Sequence, residues 1–227
     1  MRPATIMLIG NKGQLGQSLH KLLPNAYIYN EDVTDQAKLV EAILTIEPKL
    51  IINTIAYNDI DKGEYSDTIM DINTHAVHDM ARTANRVGAK FVTYSTDFAI
   101  NPTSVYGNSK ALAEYAVTAA NPEHLVIRTS CVYTDTTGFP SKVMSQVDQG
   151  KTVRLPTNLY GHPTHADWLA QETLNAFYIG ACGLITVHGQ AELSRYEWAQ
   201  SFVPLYQQQL IVPIYNTNDS LRPYRFV

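Results

Sequence analysis

The chain has 227 residues, of which 45% are hydrophobic and 17% charged, and its formal net charge at pH 7 is −4. This composition argues against a disordered chain and against a coiled coil, because it supplies ample apolar surface for a core. The net negative charge does not favour binding to nucleic acid. No apolar run approaches the roughly 20 residues that a membrane-spanning helix needs.

Short apolar runs alternate with helix-like stretches through the first part of the chain. The pattern predicts strands at 5–9, 26–29, 50–52, 91–94 and 125–127, and helices at 15–23, 35–45, 67–87 and 105–120. Strands and helices that alternate through short connections predict a parallel sheet covered by helices on both faces. The sequence therefore predicts an α/β fold with a Rossmann-like, doubly wound parallel sheet.

The alternation loosens beyond about residue 133. Helices are predicted at 141–149, 167–179 and 194–202, around shorter strands at 151–154 and 184–187. We interpret residues 1–133 as the core and residues 134–227 as a smaller C-terminal lobe. The lobe is expected to pack on the carboxyl edge of the sheet and to interleave with the core in one compact unit.

Three glycines follow the first predicted strand and open the first predicted helix, with the spacing G-x-x-G-x-x-G. The first permits a tight turn, the second lets backbone N–H groups approach a pyrophosphate, and the third allows close helix–strand packing. On the first strand of a βαβ series this pattern favours a site for NAD or NADP over a structural turn. The predicted cofactor-binding residues here are Gly10, Asn11, Lys12, Gly13, Gln14 and Leu15.

The residues after the second strand leave the choice between NAD and NADP open. Asn30, Glu31 and Asp32 include no cation for a 2′-phosphate. Lys12 in the glycine turn could supply that charge instead. Asp32 and Val33, just before the next helix, are expected to contact the adenine.

Tyr106 and Lys110 lie four residues apart on a predicted helix, so their side chains share one face. A nearby ammonium can lower the pKa of a phenol from about 10 toward neutrality, where it can transfer protons. The same lysine can hydrogen-bond a nicotinamide ribose. Ser95 and Thr96, at the end of the preceding strand, offer a hydroxyl for a substrate carbonyl oxygen. The order of these residues along the chain favours a site for carbonyl reduction over a Tyr–Lys pair that only lies on the surface.

These segments together resemble the extended short-chain dehydrogenase/reductases, and finer matches resemble the dTDP-4-dehydrorhamnose reductase branch. The matching segments are Gly13–Gly16, Asp32–Asp35, Asn53–Tyr57, Asn73, Tyr94–Asp97, Arg128–Ser130, Tyr160–Thr164, Ser194–Glu197 and Arg222–Pro223. The resemblance covers essentially the whole chain, which looks like a shortened member.

The resemblance implies NAD(P)H-dependent reduction of a 4-keto group on a nucleotide-linked 6-deoxysugar. Tyr106 would be the proton donor, Lys110 would anchor the ribose and tune the phenol, and Thr96 would bind the keto oxygen. Hydride would come from the nicotinamide. Further implied contacts are Ile55, Ala56 and Tyr57 to the cofactor, and Thr96, Asp97, Cys131 and His162 to the substrate.

Three departures from the branch leave an alternative open. Only nine residues separate Thr96 from Tyr106, whereas the branch has a longer loop, and nine residues span at most about 30 Å. Cys131 stands where the branch usually has Trp, and the chain ends soon after Arg222–Pro223. The alternative is a non-catalytic, dinucleotide-binding regulatory subunit that resembles the beta subunit of methionine adenosyltransferase. A reductase for another carbonyl substrate is a third possibility.

The remaining expectations concern metals, partners and location. The histidine pairs His75/His78 and His162/His165 lack a third ligand, so no metal site is expected. The two cysteines, Cys131 and Cys182, show no metal-ligand spacing and fit a reducing cytoplasm. The N-terminal ten residues lack the layout of a cleavable leader. We expect a cytoplasmic protein, and a homodimer is possible.

Overall fold

The computed structural model describes residues 5–216, so Arg222–Pro223 lie outside the described residues. The helices are α1 (Gln14–Leu22), α2 (Gln36–Ile46), α3 (Ile60–Gly63), α4 (Thr68–Met70), α5 (Ala76–Val87), α6 (Val105–Ala120), α7 (Phe139–Val147), α8 (Ala166–Tyr178) and α9 (Arg195–Phe202). The strands are β1 (Ile6–Ile9), β2 (Tyr27–Tyr29), β3 (Leu50–Asn53), β4 (Lys90–Thr96), β5 (Leu125–Thr129), β6 (Val132–Tyr133), β7 (Val153–Pro156), β8 (Tyr160–Gly161), β9 (Thr164–His165), β10 (Gly183–Thr186), β11 (Leu193–Ser194) and β12 (Ile211–Ile214).

Six of these strands form one parallel sheet in the order β10-β5-β4-β3-β1-β2. The predicted α/β class with a doubly wound parallel sheet is confirmed. The chain leaves β1 toward β2 on one side and resumes with β3 on the other side. The carboxyl ends of β1 and β3 therefore flank a topological switch point, where ligands bind in open α/β sheets.

Helices cover both faces of the sheet, which explains the unbroken apolar runs of the strands. In β1, Met7 and Ile9 pack into the layer that contains α2, α5 and α6. Leu8 packs into the opposite layer, with α1 and α8. Because side chains alternate along a strand, burial on both faces requires every residue to be apolar.

The strand predicted at 184–187 belongs to the main sheet rather than to the lobe. It is β10, and it pairs in parallel with β5. Helix α8 also belongs to the main layers, since Leu169 and Leu174 pack in the same core cluster as Leu8 and Leu19 of the first βα unit. The predicted lobe thus supplies one strand and one helix to the core. The division at residue 133 stays a prediction.

The rest of the lobe has a small core of its own. Side chains from α7, β7, α9 and β12 form this cluster, which contains Val143, Val147, Val153, Leu155, Ala199 and Ile211. Strands β7 and β12 pair in parallel beside it. No helix in the part of the chain that the structure describes is long and apolar enough to cross a membrane.

The single helix predicted at 67–87 is interrupted. A π-helical turn at Asp71–His75 separates α4 from α5, and it carries the fully buried Asn73. Gly88 ends α5 with a φ of 67°, as its position predicted. Strands β4 and β5 run to Thr96 and Thr129, past the apolar residues at which the sequence analysis ended them. These polar strand ends enter the cleft described next.

Candidate active site

A cleft of about 450 Å³ lies across the carboxyl ends of β3, β4 and β5. Gly13 and Gln14 of the glycine turn line one part of it. Thr96, Tyr106 and Lys110 line the other part. The structure therefore brings the predicted cofactor turn and the three predicted catalytic residues to one cavity. Other predicted residues that line it are Leu15, Ile55, Ala56, Asp97 and Cys131.

The glycine turn has the close backbone packing that a dinucleotide site requires. Gly10 has a φ of 91°, and a Cβ there would come within 2.6 Å of Thr54 Oγ1. A Cβ on Gly16 would overlap the carbonyl oxygen of Gly10. Gly13 precedes the first residue of α1 and carries no side chain to cap it. The N-terminal N–H groups of α1 thus suit a phosphate, and these residues fit NAD or NADP.

Two substitutions separate the turn's structural role from its binding role. A Cβ on Gly13 would meet only the Gly10 carbonyl oxygen, at an ordinary 3.5 Å. We expect Gly13→Ala to keep the melting temperature within about 2 °C but to weaken NADH and NADPH binding roughly tenfold or more, because the methyl group occupies the approach to the pyrophosphate. Calorimetric titration checks this result. Gly16→Ala, by contrast, is expected to lower the melting temperature. If Gly13→Ala bound NADH and NADPH as tightly as the parent does, the assignment of this turn to the cofactor pyrophosphate would be contradicted.

A second cavity of about 280 Å³ continues from the glycine turn toward the end of β2. Lys12 and Glu31 both line it, so one cation and one carboxylate face the expected adenosine ribose. Asp32 instead accepts hydrogen bonds from the backbone N–H and the hydroxyl of Thr34, which lower the pKa of its carboxyl group. Val33 is a core residue, 3% exposed. The predicted adenine contacts of Asp32 and Val33 stay predictions.

Two other predicted cofactor residues have structural contacts. The Gln14 amide bridges the turn to the lobe: its oxygen accepts from the Thr137 hydroxyl (2.8 Å) and from Gly138 N–H, and its nitrogen donates to the Val132 carbonyl. The backbone N–H of Tyr57 donates to Asn73 Oδ1 at 2.8 Å. The cofactor contacts of Gln14 and Tyr57 also stay predictions.

Asn73 joins the loop after β3 to the helix that carries Tyr106. Its Nδ2 donates to the Tyr57 carbonyl (3.0 Å) and to Ser109 Oγ (3.1 Å). The π-helical turn presents this side chain, and such turns often occur at functional sites. Asn73 is therefore a positioning residue for α6.

Tyr106 lies in the first turn of α6, and three contacts fix the start of that helix. Ser104 Oγ accepts from Gly107 N–H at 3.0 Å, and Glu64 Oε1 accepts from Val105 N–H at 2.6 Å. A Cβ on Gly107 would come within 2.6 Å of the Phe98 carbonyl oxygen, so the short 97–105 connection packs directly on the helix. The nine-residue connection therefore holds Thr96 and Tyr106 in the same cleft.

The expectation that Lys110 lowers the pKa of Tyr106 is wrong. Burial raises the pKa of the phenol to about 12, and the Asp97 carboxylate raises it further, while a hydrogen bond with Thr96 opposes both effects. Burial also lowers the pKa of the Lys110 ammonium to about 8, although the Glu114 carboxylate opposes this. Desolvation is thus the largest cause of both pKa shifts. A phenol that stays protonated at neutral pH is nevertheless the form that a proton donor requires.

A partly buried ion pair anchors the face of α6 that carries Lys110. Glu114, one turn beyond Lys110, accepts from Nε and Nη2 of Arg128 at 2.8 and 2.6 Å. These two hydrogen bonds join α6 to the end of β5, and they raise the pKa of Arg128. Sequence reasoning missed this pair, because its two residues lie 14 positions apart on different elements and only the packing of α6 on β5 brings them together.

Thr96 and Asp97 form one hydrogen-bonded unit at the end of β4. Thr96 Oγ1 donates to Asp97 Oδ1 at 2.9 Å, and Phe98 N–H donates to the same oxygen at 3.0 Å. Burial raises the pKa of the Asp97 carboxyl group. Hydrogen bonds with the Ser130 and Thr96 hydroxyls oppose this rise.

Cys131 has a left-handed backbone, with a φ of 48°, at the edge of the cleft. Gly161 makes room for it, because a Cβ there would overlap the Cys131 sulfur. Arg195 Nη1 donates to Cys131 Sγ at 3.0 Å, and its guanidinium lies over the rings of Phe139 and Trp198. Arg195 lines the cleft, and sequence reasoning did not assign it to the site. His162 lines a neighbouring cavity rather than this one.

The parallel sheet, its glycine turn and a Tyr–Lys pair in one cleft define the short-chain dehydrogenase/reductase class. A family model described as the RmlD substrate binding domain matches residues 4–223. The chain belongs to that family.

Similar proteins support this assignment. The dTDP-4-dehydrorhamnose reductase of Salmonella typhimurium is 28% identical over 200 residues, which cover 77% of this chain and 67% of that one. The crystal structure of a hypothetical dTDP-4-dehydrorhamnose reductase from Sulfolobus tokodaii is 29% identical, with a TM-score of 0.85 over 97% of this chain and 90% of the other. A Bacillus anthracis dTDP-4-dehydrorhamnose reductase, solved in complex with NADP, has a TM-score of 0.90 at 23% identity, covering 97% and 88% of the two chains, and shows the shared fold.

Proposed function

We propose that the protein is an NAD(P)H-dependent reductase of a nucleotide-linked 4-keto-6-deoxysugar. The observation that carries the proposal is the cleft shared by the glycine turn, Thr96, Tyr106 and Lys110. The names of the similar reductases support the same substrate class. The alternative of a regulatory subunit is less favoured, because the Tyr–Lys pair and the Thr96 hydroxyl remain together in the cleft.

Each residue has a distinct role in the proposed reaction. When bound in this cleft, the reduced nicotinamide would supply a hydride for the carbonyl carbon. The N-terminus of α1 binds the pyrophosphate, and the Lys110 ammonium donates to the ribose hydroxyls. Thr96 turns its hydroxyl from Asp97 to the keto oxygen and orients it. Tyr106 donates its phenolic proton to that oxygen, so the ketone gains a hydride and a proton and becomes a secondary alcohol.

Arg195 is suited to the nucleotide end of the substrate. Its guanidinium lies in the same cleft as Tyr106, held by the Cys131 sulfur and by aromatic faces. Arginine binds phosphate oxygens through two parallel hydrogen bonds, so we place the substrate diphosphate at this edge. The predicted homodimer and the cytoplasmic location stay predictions.

A substrate screen tests the function. NADH and NADPH oxidation is followed at 340 nm with dTDP- and UDP-linked 4-keto-6-deoxyhexoses, together with 4-keto sugars that lack a nucleotide. We expect turnover with at least one nucleotide-linked ketone and at least tenfold lower kcat/KM without the nucleotide. Cofactor binding without turnover of any ketone, together with a stoichiometric protein partner in a pull-down, would favour the regulatory alternative.

A further inference from the structure

A groove of about 630 Å³ runs along the protein surface between α5 and α6. The residues that line it extend from Thr74 to Arg86 on one side and from Leu112 to Ala120 on the other. Because a helix rises 1.5 Å per residue, the groove is about 18 Å long. Among the described residues, none lines both this groove and the reaction cleft. The roles assigned so far therefore leave the groove unused.

The two walls of the groove are fixed relative to each other. At one end, Thr74 Oγ1 donates to the Ser109 carbonyl oxygen at 2.9 Å. At the other end, Asn121 Nδ2 donates to Asn85 Oδ1, also at 2.9 Å. Both helices also pack into the same core cluster. The groove is therefore formed before a partner arrives, which lowers the entropic cost of binding.

The α5 wall of the groove carries two positive charges without a carboxylate partner. Arg82 and Arg86 are exposed and lie four residues apart, so their side chains share one face of α5. Neither forms an ion pair among residues 5–216. His75 and His78, which also line the groove, each lie within 3.5 Å of an aspartate carboxylate. The two arginines are thus the charges left for a partner.

The α6 wall of the groove is apolar. Leu112 is 49% exposed and Tyr115 is 74% exposed, although both are large side chains. Ala116 and Ala119 continue this wall and leave room for a partner to approach closely. An elongated groove with one apolar and one cationic wall is complementary to an amphipathic helix that carries acidic residues beside its apolar face.

The charges of the groove argue against a second copy of the chain as its occupant. A two-fold interface places the same surface patch on both partners. No acidic residue lines the groove within the described part of the chain, so Arg82 and Arg86 would find no carboxylate in the groove of the copy. Like charges brought together in an interface are unfavourable. A partner of opposite charge avoids this cost.

We propose that the groove between α5 and α6 docks an acidic amphipathic helix of a partner protein. Two carboxylates spaced by one helical turn would pair with Arg82 and Arg86. The apolar side chains of that helix would cover Leu112 and Tyr115. This inference does not depend on the proposed function, and a docked helix leaves the reaction cleft open because the two surfaces share no lining residue among those described.

The test uses a synthetic helical peptide of about 18 residues, with leucines along one face and glutamates spaced four residues apart beside them. Fluorescence anisotropy measures its binding to the full-length protein. We expect saturable binding that weakens at high salt and is at least tenfold tighter than that of a matched peptide with lysine in place of glutamate. A scrambled peptide of the same composition should bind at least tenfold more weakly.

Variants of the two walls locate the binding. The double variant Arg82→Glu/Arg86→Glu should bind the acidic peptide at least tenfold less tightly than the parent does, and the lysine peptide more tightly. Leu112→Asp should also weaken binding of the acidic peptide. Arg154→Glu changes an exposed arginine of β7 outside the groove and is the matched control, with both affinities unchanged. All variants should melt within about 2 °C of the parent, because the substituted side chains are exposed.

Three outcomes would overturn the proposal. The first is equal binding of the acidic and lysine peptides by the parent, or an affinity for the acidic peptide that the double variant leaves intact. The second is equally tight binding of the scrambled peptide, which would show attraction between net charges and no helix docking. The third is a parent that sediments as a dimer and becomes a monomer in Leu112→Asp, which would assign the groove to a second copy of the chain.

Discussion

Tyr106→Phe is expected to lower kcat for ketone reduction by about 10³-fold, while NADH or NADPH still binds with a Kd within about twofold of the parent. The phenol supplies the proton that neutralises the developing alkoxide, and general acid catalysis of this kind contributes roughly 10²–10⁴-fold. The pKa of Tyr106, raised to about 12 by burial, keeps the donor protonated throughout the neutral range. Single-turnover oxidation of the bound nicotinamide at 340 nm measures the step.

A second tyrosine on the same helix provides the matched control. Tyr115 is 74% exposed and lies outside the cleft, so Tyr115→Phe removes a phenol from α6 without touching the site. We expect this variant to keep the parent rate. If Tyr106→Phe reduced the sugar as fast as Tyr115→Phe does, Tyr106 would not be the acid.

Lys110→Met is expected to abolish most of the activity and at the same time to stabilise the fold. Lys110 is only 4% exposed, and burial lowers the pKa of its ammonium to about 8 from the ordinary 10.5. Keeping this charge in the folded state at pH 7 costs about 3 kcal/mol, and Met preserves the apolar stem without the charge. We expect the melting temperature to rise by several degrees, kcat to fall at least 10²-fold and cofactor binding to weaken. Scanning calorimetry and steady-state kinetics measure the two effects.

The pH dependence of stability gives the sign of this effect. Because the folded pKa of Lys110 lies below the unfolded value, the unfolded chain binds more protons between about pH 8 and pH 10. As the pH rises across that window, the free energy of unfolding of the parent should therefore increase relative to that of Lys110→Met. The difference in stability between the two proteins should become smaller. A Lys110→Met protein that melts below the parent at pH 7 would show that the ammonium stabilises the fold.

Local patterns were sufficient to predict the elements that build the cofactor side of the site. The apolar run of β1 and the glycines after it are contiguous in sequence, and the strand–turn–helix unit depends on few distant contacts. The four-residue spacing of Tyr106 and Lys110 likewise fixes their common face through helix geometry alone. The structure places both side chains in the cleft with the glycine turn.

Features that depend on tertiary packing were not predictable from those patterns. The strand Gly183–Thr186 looks like a strand of the lobe in sequence, and only its pairing with β5 assigns it to the main sheet. The direction of the Tyr106 pKa shift depends on how deeply the phenol and the ammonium are buried, which spacing does not reveal. The contact of Arg195 with Cys131 joins residues 64 positions apart in sequence.

The most direct test of the account is the fate of a labelled hydride. The protein is incubated with a nucleotide-linked 4-keto-6-deoxyhexose and NADH or NADPH deuterated at nicotinamide C4, with each of the two deuterated faces in turn. We predict one deuterium at C4 of the sugar, delivered from only one face of the nicotinamide, and a rate that falls about 10³-fold in Tyr106→Phe. A sugar alcohol without deuterium from either cofactor, or no alcohol with any nucleotide-linked ketone, would contradict it.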